Sequence, residues 1–296
     1  MTKNILVTGA TGKQGSALIK ALLAANADFN IYALTRNPSS DSAKALSQQS
    51  PRITVIQGDL DNPTPIFQST PAIWALFSVQ IPSGPNTSPD NEEVQGKSLI
   101  DAAVAAHVQH IVYSSVDRGT PRPLVPTSVP HFASKHRIEQ HLRAAAAANP
   151  SLTYTILQPV AFLDNFAGAF GAPFAAMWRA YLGDATKLQL IATSDIGKVA
   201  ARAFLEPEKY AGREIPLAGD DLNFADVQRI FREKTGKELP AAPEQVAKSI
   251  VEGNADLKAM WTWFATDGYG ADVAALREEF PDLLDYGAWV EKEGGF

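Results

Sequence analysis

The sequence predicts an α/β fold, a doubly wound parallel sheet with a smaller, mostly helical C-terminal lobe. Three observations predict it. The stretch "NILVTGATGKQGSALIKALLAA", Asn4 to Ala25, joins a strand-like run to a helical pattern through a glycine-rich turn. Short β-branched runs then alternate with helical patterns through the first half, the rhythm of a parallel sheet wound with helices. Beyond Pro159 that rhythm gives way to looser, aromatic-rich and helical sequence. At 296 residues the chain can bury a large core, in one domain or in two unequal lobes.

The elements follow in order. "NILVTG" is the first strand and "GSALIKALLAA" the first helix, with Leu18, Leu22 and Ala25 on one stripe. Next come "NIYALTR", a helix from Ser42 to Ser47, "ITVIQGD", a short turn and "AIWALFSV". A helix from Glu92 to Ala106, "HIVYSSV", a helix from about Phe132 to Ala148 and "TYTILQP" complete six strands. The alanine run Ala144 to Ala148 is a strong helix former that stops at Asn149-Pro150. Right-handed crossovers between such strands give an open Rossmann sheet, whose ligands sit at the carboxyl edge of the strands. Two Pro-rich stretches, "QIPSGPNTSPDN" and "RGTPRPLVPTSVPH", follow the fourth and fifth strands. Their place makes them walls or lids of a ligand cleft, or surface connections.

In the C-terminal half, "FLDNFAGAFGAPFAAMWRAYLGD" spaces Phe162, Phe166, Phe170, Phe174, Trp178 and Tyr181 about four apart. That is the core stripe of one helix or the lining of a pocket for a flat, apolar substrate. "LQLIA" follows, then a helix starting near Ser194 with capping chemistry from Thr193, Ser194 and Asp195, then "REIPLAG" and further helices. The expected division is a Rossmann domain over 1–158 and a smaller lobe over 159–296, with segments of the latter returning to the main sheet.

Composition narrows the function. Hydrophobic residues are 45% and charged residues 20%, ordinary for a globular protein. The net charge of −6 comes without a basic block, so no nucleic-acid footprint is present. With no cysteine there are no disulfides or thiolate metal sites, and no metal is expected. The first residues do not read as a secretory signal, and no apolar run approaches the roughly 18 residues that span a bilayer. The expectation is a cytoplasmic protein, with a nuclear location also open, that binds no membrane and is a monomer or homodimer.

The glycine triplet carries the chemistry. A pyrophosphate must approach backbone N–H groups at a helix N-terminus, where the dipole favours negative charge. Gly9 permits the tight turn, Gly12 clears the space for phosphates, and Gly15 lets the helix pack close to the strand. The position between a strand and a helix is the confirming context. The second strand ends at "ALTRNPSS", where an acid would accept from a ribose 2′-hydroxyl and favour NAD. Arg36 stands there instead, and no acid comes before Asp41, so NADP(H) is predicted over NAD(H). After the third strand, Asp59 and Leu60 lie where a carboxylate can meet the adenine amino group, although aspartate after glycine is also common in plain turns.

In short-chain dehydrogenase/reductases a tyrosine donates the proton, and a lysine four residues later holds the nicotinamide ribose. This chain reads "HFASKHRIEQHL", with His131 in the tyrosine position and Lys135 in the lysine position. Four apart, they share a helix face. An imidazole can donate a proton near neutrality, or His131 can serve only as a polar residue at a helix start. Ser114 and Ser115, at the end of the fifth strand, can polarise a substrate carbonyl or satisfy backbone groups.

Taken in order, "TGATGKQG", "LTRNP", "GDLD", "EEVQGKSLIDAA", "HIVYSS", "HFASKHRIEQHLR", "SDIGKVAARAFLEPEKYAGREIPLAGD" and "GYGADVAALREEFPDLLDYGAWVEK" resemble the NmrA-like family of atypical short-chain dehydrogenase/reductases. The resemblance spans almost the whole chain. It implies pyrophosphate on Gly9, Ala10, Thr11, Gly12, Lys13 and Gln14, with Gly15 behind them, and the 2′-phosphate on Arg36 and Asn37. It places adenine against Asp59 and Leu60. Val79, Gln80 and Ile81 would line the nicotinamide side, Lys135 would hold the ribose, and Pro159, Val160, Ala161 and Phe162 would close over the ring. "QPVAFLDN" resembles a family stretch that ends in an acid and Asn165. The family holds both reductases that lack the usual tyrosine and NADP(H)-binding redox sensors that regulate transcription-related partners. The resemblance therefore implies either an NADPH-dependent oxidoreductase acting on a small unsaturated or carbonyl-like molecule held between two lobes, or a non-catalytic sensor acting on a protein partner. The complete set of cofactor positions and Lys135 favour the enzyme.

Overall fold

A computed structural model of the chain describes residues 2–82, 87–119 and 127–295. The parts of the two expected lids at 83–86 and 120–126 lie outside the described residues. Strands and helices alternate strictly at first: β1 (Lys3–Val7), α1 (Lys13–Ala24), β2 (Phe29–Thr35), α2 (Asp41–Ser47), β3 (Ile53–Gln57), α3 (Thr64–Gln68), β4 (Ala75–Ser78), α4 (Pro89–Ala105), β5 (His110–Ser114), α5 (Pro130–Ala148) and β6 (Thr153–Pro159). Then come β7 (Ala161–Phe162), two 3₁₀ turns (Leu163–Phe166 and Gly168–Phe170), α6 (Gly171–Leu182), β8 (Leu188–Ile191), α7 (Thr193–Leu205), α8 (Pro207–Tyr210), β9 (Arg213–Leu217) and β10 (Asp220–Leu222). The chain continues in helices α9 (Phe224–Thr235), α10 (Glu244–Glu252), α11 (Ala255–Thr266), α12 (Val273–Glu279) and α13 (Tyr286–Lys292).

The main sheet has the order β3-β2-β1-β4-β5-β6-β9, and the pairs from β3 through β6 are all parallel. Helices on its faces explain the sequence of the middle strands, since every residue of β4 and β5 is buried. The order reverses between β1 and β4, which makes the carboxyl ends of those strands the switch point where ligands bind in such sheets. A three-stranded sheet, β10-β8-β7, pairs β10 with β8 antiparallel and β7 with β8 parallel. The chain divides into two compact units. One comprises Met1–Ser115, Ala133–Gln158 and Ile196–Ile215; the other Val116–Phe132, Pro159–Asp195 and Pro216–Phe296. The first has an aliphatic core around Leu6, Leu76, Leu99, Ile111, Ile138 and Ile156. The second has an aromatic core around Phe166, Phe174, Trp178, Phe224, Trp261 and Tyr286.

Three expectations change. The turn before β4 contains the one-turn helix α3, too short to show a helical period; its Ile66 packs so tightly that a Cβ on Gly58 would lie 2.7 Å from the Ile66 Cγ1. The aromatic stripe is not one helix. Phe162 ends β7, Phe166 and Phe170 sit in 3₁₀ turns, and only Phe174, Trp178 and Tyr181 lie on α6. Gly168 (φ +63°) turns the chain, and Gly171 packs where a Cβ would stand 2.0 Å from the Phe166 carbonyl oxygen. Phe166, Phe174 and Trp178 are core residues, whereas Phe170 is 44% exposed. Lastly, residues of the expected capping set also work over long range: the Thr193 amide and hydroxyl at the start of α7 bond the Asp164 carboxylate, and the Asp195 carboxylate accepts the Leu284 N–H. Among the described residues no helix is long and apolar enough to cross a membrane.

At the amino edge of the sheet, His110 is stacked on Trp74, meets Phe204 edge-on, and places Nδ1 2.8 Å from the Thr153 hydroxyl. Burial pushes its pKa down from 6.5 to about 4. A histidine that takes its proton more readily when unfolded costs stability as pH falls from its unfolded pKa toward its folded one. Stability should therefore decline between pH 6.5 and about 4, and urea unfolding of His110→Phe should lack that part of the decline. An unchanged pH profile in the variant would contradict the assignment.

Candidate functional site

The glycine turn lies at the switch point. Gly9 adopts φ +56°, a left-handed conformation that favours glycine, and its carbonyl accepts the Gly12 N–H at 2.9 Å. A Cβ on residue 15 would lie 2.3 Å from that same Gly9 oxygen, so α1 can start this close to β1 only with glycine there. Gly12 is the N-cap of α1, supplies no capping side chain, and the first turn carries no acid. By contrast, α4 has a Ser88 cap with Asp90 and Glu92 in its first turn. The positive end of α1 is thus left for an outside anion. Two side chains brace the turn. The Thr8 hydroxyl accepts the Val79 N–H at 2.9 Å and lies 3.1 Å from the carbonyls of Phe77 and Val79. The Ser114 hydroxyl, at the end of β5, donates to the Gln14 side-chain oxygen at 2.5 Å. Gly9, Thr11, Gly12 and Lys13 are exposed, while Ala10 and Gly15 are buried beneath them.

The next strands supply the neighbouring positions. Arg36 directly follows β2, is exposed, and its guanidinium has no ion pair among the described residues. The Gln57 amide donates to its backbone carbonyl at 3.2 Å. Asn37 is held in a turn in which its side-chain oxygen accepts the Ser39 N–H. The exposed Asp59 accepts the Asp61 N–H at 3.1 Å, the turn role left open for it in the sequence, and the half-buried Leu60 packs against the aliphatic core. After β4, Val79 lies against the glycine turn, where a Cβ on Gly9 would be 2.9 Å from its Cγ1. Gln80 is buried, donates to Ser78 and keeps its side-chain oxygen without a partner among the described residues, whereas Ile81 is 59% exposed.

On α5, two basic residues meet carboxylates that sequence reasoning missed. Lys135 is buried with its Nζ 2.6 Å from the Glu92 Oε1, and Glu92 on α4 is fully buried. The other oxygen of Glu92 accepts the Ser134 hydroxyl at 2.5 Å. The available signal was position: Glu92 falls on the buried stripe of α4 with Gly96, Leu99, Ile100 and Ala103. A carboxylate on such a stripe is paired. Ser115, also named as a candidate, donates instead to the buried Glu139. His131 opens α5 with its Nδ1 2.6 Å from the Asp256 Oδ2 and its backbone N–H 2.9 Å from the Oδ1. Burial works to raise the Asp256 carboxyl, but the His131 hydrogen bonds and charge outweigh it, and its pKa lies below the ordinary 3.8. No sequence signal linked 131 to 256.

In the second unit, the Pro159 carbonyl accepts the Asp117 N–H and the Val160 N–H donates to Leu217, both at 3.1 Å. Ala161 and Phe162 pair with Leu190 and Ile191. These four residues form a fixed strand segment that leads into Asp164 and Asn165.

With this geometry in view, comparison with known proteins is specific. The NmrA-like family pattern matches residues 1–287. An NmrA-like family domain-containing oxidoreductase, PtmS of Penicillium ochrochloron, is 27% identical over 88% of this chain and 82% of its own. Among solved structures, the negative transcriptional regulator NmrA in complex with NAD superposes with TM-score 0.74 at 20% identity, over 99% of this chain and 96% of its own. The Citrobacter sp. triphenylmethane reductase complexed with NADP(H) superposes with TM-score 0.74 at 19% identity, over 97% and 98%.

The Asp256–His131 pair gives a pH test. A carboxylate with a depressed folded pKa adds stability that is present above its unfolded pKa and is lost as pH falls through the folded value. Thermal melts of Asp256→Asn should show a flatter acid limb below about pH 4 than the parent. Parallel curves for the two proteins would mean that the pair contributes nothing.

Proposed function

Because the chain belongs to the NmrA-like family, we propose that it is an NADPH-dependent oxidoreductase that passes a hydride to a small unsaturated or carbonyl-like molecule. The observation that supports this most is the uncapped, glycine-lined start of α1 at the switch point of the sheet. A Cβ at Gly12 would stand 3.2 Å from the Gly9 oxygen, tighter than ordinary contact, so the turn takes glycine at the position where a dinucleotide-binding turn needs it, and the residues present fit that group. On this reading Gly9 to Gly15 hold the pyrophosphate. Arg36 and Asn37 hold the 2′-phosphate, Asp59 and Leu60 meet the adenine, and Lys135 holds the nicotinamide ribose. Val79 to Ile81 line the nicotinamide. Residues 1–158 then supply most of the dinucleotide site and 159–296 the substrate or partner lobe.

When bound, the cofactor supplies the hydride; the chain's own residues orient and exclude water. Arg36, exposed and without an ion pair among the described residues, has donors to offer a phosphate. The Asp256 carboxylate fixes the His131 ring by its Nδ1, the arrangement that lets the other ring nitrogen move a proton. NmrA has been solved with NADP as well as NAD, and triphenylmethane reductase with NADP(H), which supports a nicotinamide dinucleotide here.

The alternative is a redox sensor that binds NADP(H) and regulates a protein partner. It is favoured by the absence of a tyrosine at 131, by the double hold of Asp256 on His131, and by the regulator among the structural neighbours. Turnover decides between them. Oxidation of NADPH with a panel of quinones, enones, imines and aldehydes, lost in Lys135→Ala, is the enzyme's result. Tight NADPH binding with no turnover, and partner binding that changes between the oxidised and reduced forms, is the sensor's.

Cofactor choice is tested separately. A charge-assisted contact contributes about 1.5–3 kcal/mol, so Arg36→Ala should weaken NADPH roughly 10- to 100-fold and NADH only slightly. Titration by intrinsic fluorescence measures both. Equal losses would overturn the assignment of Arg36.

A further inference from the structure

We propose that Glu92 is a positioning residue of the dinucleotide site, holding the Lys135 ammonium through one of its three N–H bonds and leaving two for the nicotinamide ribose. The inference rests on the assignment of Lys135 to that ribose and adds a residue that nothing in the motif marks.

The geometry carries it. Glu92 and Lys135 belong to the same compact unit and meet near the contact of Gly96 on α4 with Ile138 on α5. A Cβ on Gly96 would lie 2.5 Å from the Ile138 Cδ1, so the two helices approach this near only because residue 96 is glycine. Glu92 is one turn before Gly96, and Lys135 is three residues before Ile138, so the close approach sets the two charges face to face at 2.6 Å. Both oxygens of the carboxylate are used by consecutive residues of α5, Oε1 by Lys135 and Oε2 by Ser134. A carboxylate held at both ends has little freedom, and it passes that order to the ammonium. Its place in the first turn of α4, behind the Ser88 cap, adds the favourable end of a helix dipole.

The energetics also indicate a role other than stability. Taking both charges out of water offsets most of their attraction, so a buried pair is a poor way to hold two helices together. An apolar pair would pack α4 against α5 as well. What an apolar pair cannot do is present an oriented cation. An ammonium has three donors, and with one on Glu92 two remain, the number that the vicinal hydroxyls of a ribose can accept.

The experiment compares two ligands on the full chain. NADPH includes the nicotinamide ribose; adenosine 2′,5′-bisphosphate has the adenine end only. Calorimetry on Glu92→Gln should show NADPH binding weakened about tenfold or more, with adenosine 2′,5′-bisphosphate bound as in the parent. Glu92→Asp should recover part of the loss. Equal weakening of both ligands would mean a merely structural role and overturn the proposal, as would unchanged NADPH affinity. Where Glu92→Gln fails to fold, Ser134→Ala removes one anchor of the carboxylate, and should weaken NADPH two- to threefold while sparing the bisphosphate; no change would overturn the proposal. Lys135→Met separates the two levels. If it leaves NADPH affinity intact, the ribose assignment itself fails. If it weakens NADPH while Glu92→Gln does not, only the role of Glu92 fails.

Discussion

One close approach of backbone to backbone governs the ligand end of the sheet. The Gly9 carbonyl lies where any side chain at residue 15 would collide with it. That contact makes α1 start immediately beyond β1 and points its N-terminus along the carboxyl edge. The Gly12 N–H closes the turn on the same Gly9 oxygen, and the Thr8 hydroxyl ties the end of β1 to the segment after β4. Because β1 and β4 are the neighbours at which strand order reverses, the crossovers leave in opposite directions, the arrangement at whose carboxyl ends such sheets bind ligands. The glycines, the topology and the helix dipole are consequences of one another at this point.

The same device recurs where α4 meets α5. Removing a side chain at Gly96 admits Ile138, and the helices close far enough for Glu92 to reach Lys135. In both places a glycine matters through what it lets approach. At the first it brings backbone N–H groups to an anion. At the second it brings a carboxylate to a cation. Farther along α5, Glu139 continues the pattern: it is buried, accepts from Ser115 and Gln158, and pairs with Arg143, which also binds Glu214. Such a network favours one packing of α5 on the sheet over others that an apolar face would accept equally well.

Legibility in the sequence followed distance along the chain. Six strands, the glycine turn and the place of Arg36 at the end of β2 were readable because each is set by neighbours within a few residues. The period of two or of 3.6 and a turn residue at a fixed offset are local facts. Asp256 opposite His131, Glu92 opposite Lys135 and Asp164 opposite Thr193 were not readable, since each pair joins segments 29 or more residues apart. The aromatic stripe misled for a related reason. A spacing of four persists from Phe162 to Trp178, yet Gly168, at positive φ, breaks the helix that the spacing implies, and burial of rings against α9, α11 and α13 replaces helical period as the cause of the pattern.

The two basic residues read from the α5 motif are therefore defined by partners outside it. Lys135 takes its orientation from α4 and His131 from the first turn of α11. A tyrosine at 131 would need no such carboxylate, since a phenol is neutral at the start of its work. An imidazole has two nitrogens, and which one carries the proton is set by what the other one bonds. With Asp256 on Nδ1, the ring is held in one orientation whether or not it ever donates. The histidine at 131 thus meets an aspartate 125 residues away, at its backbone N–H and at its ring Nδ1.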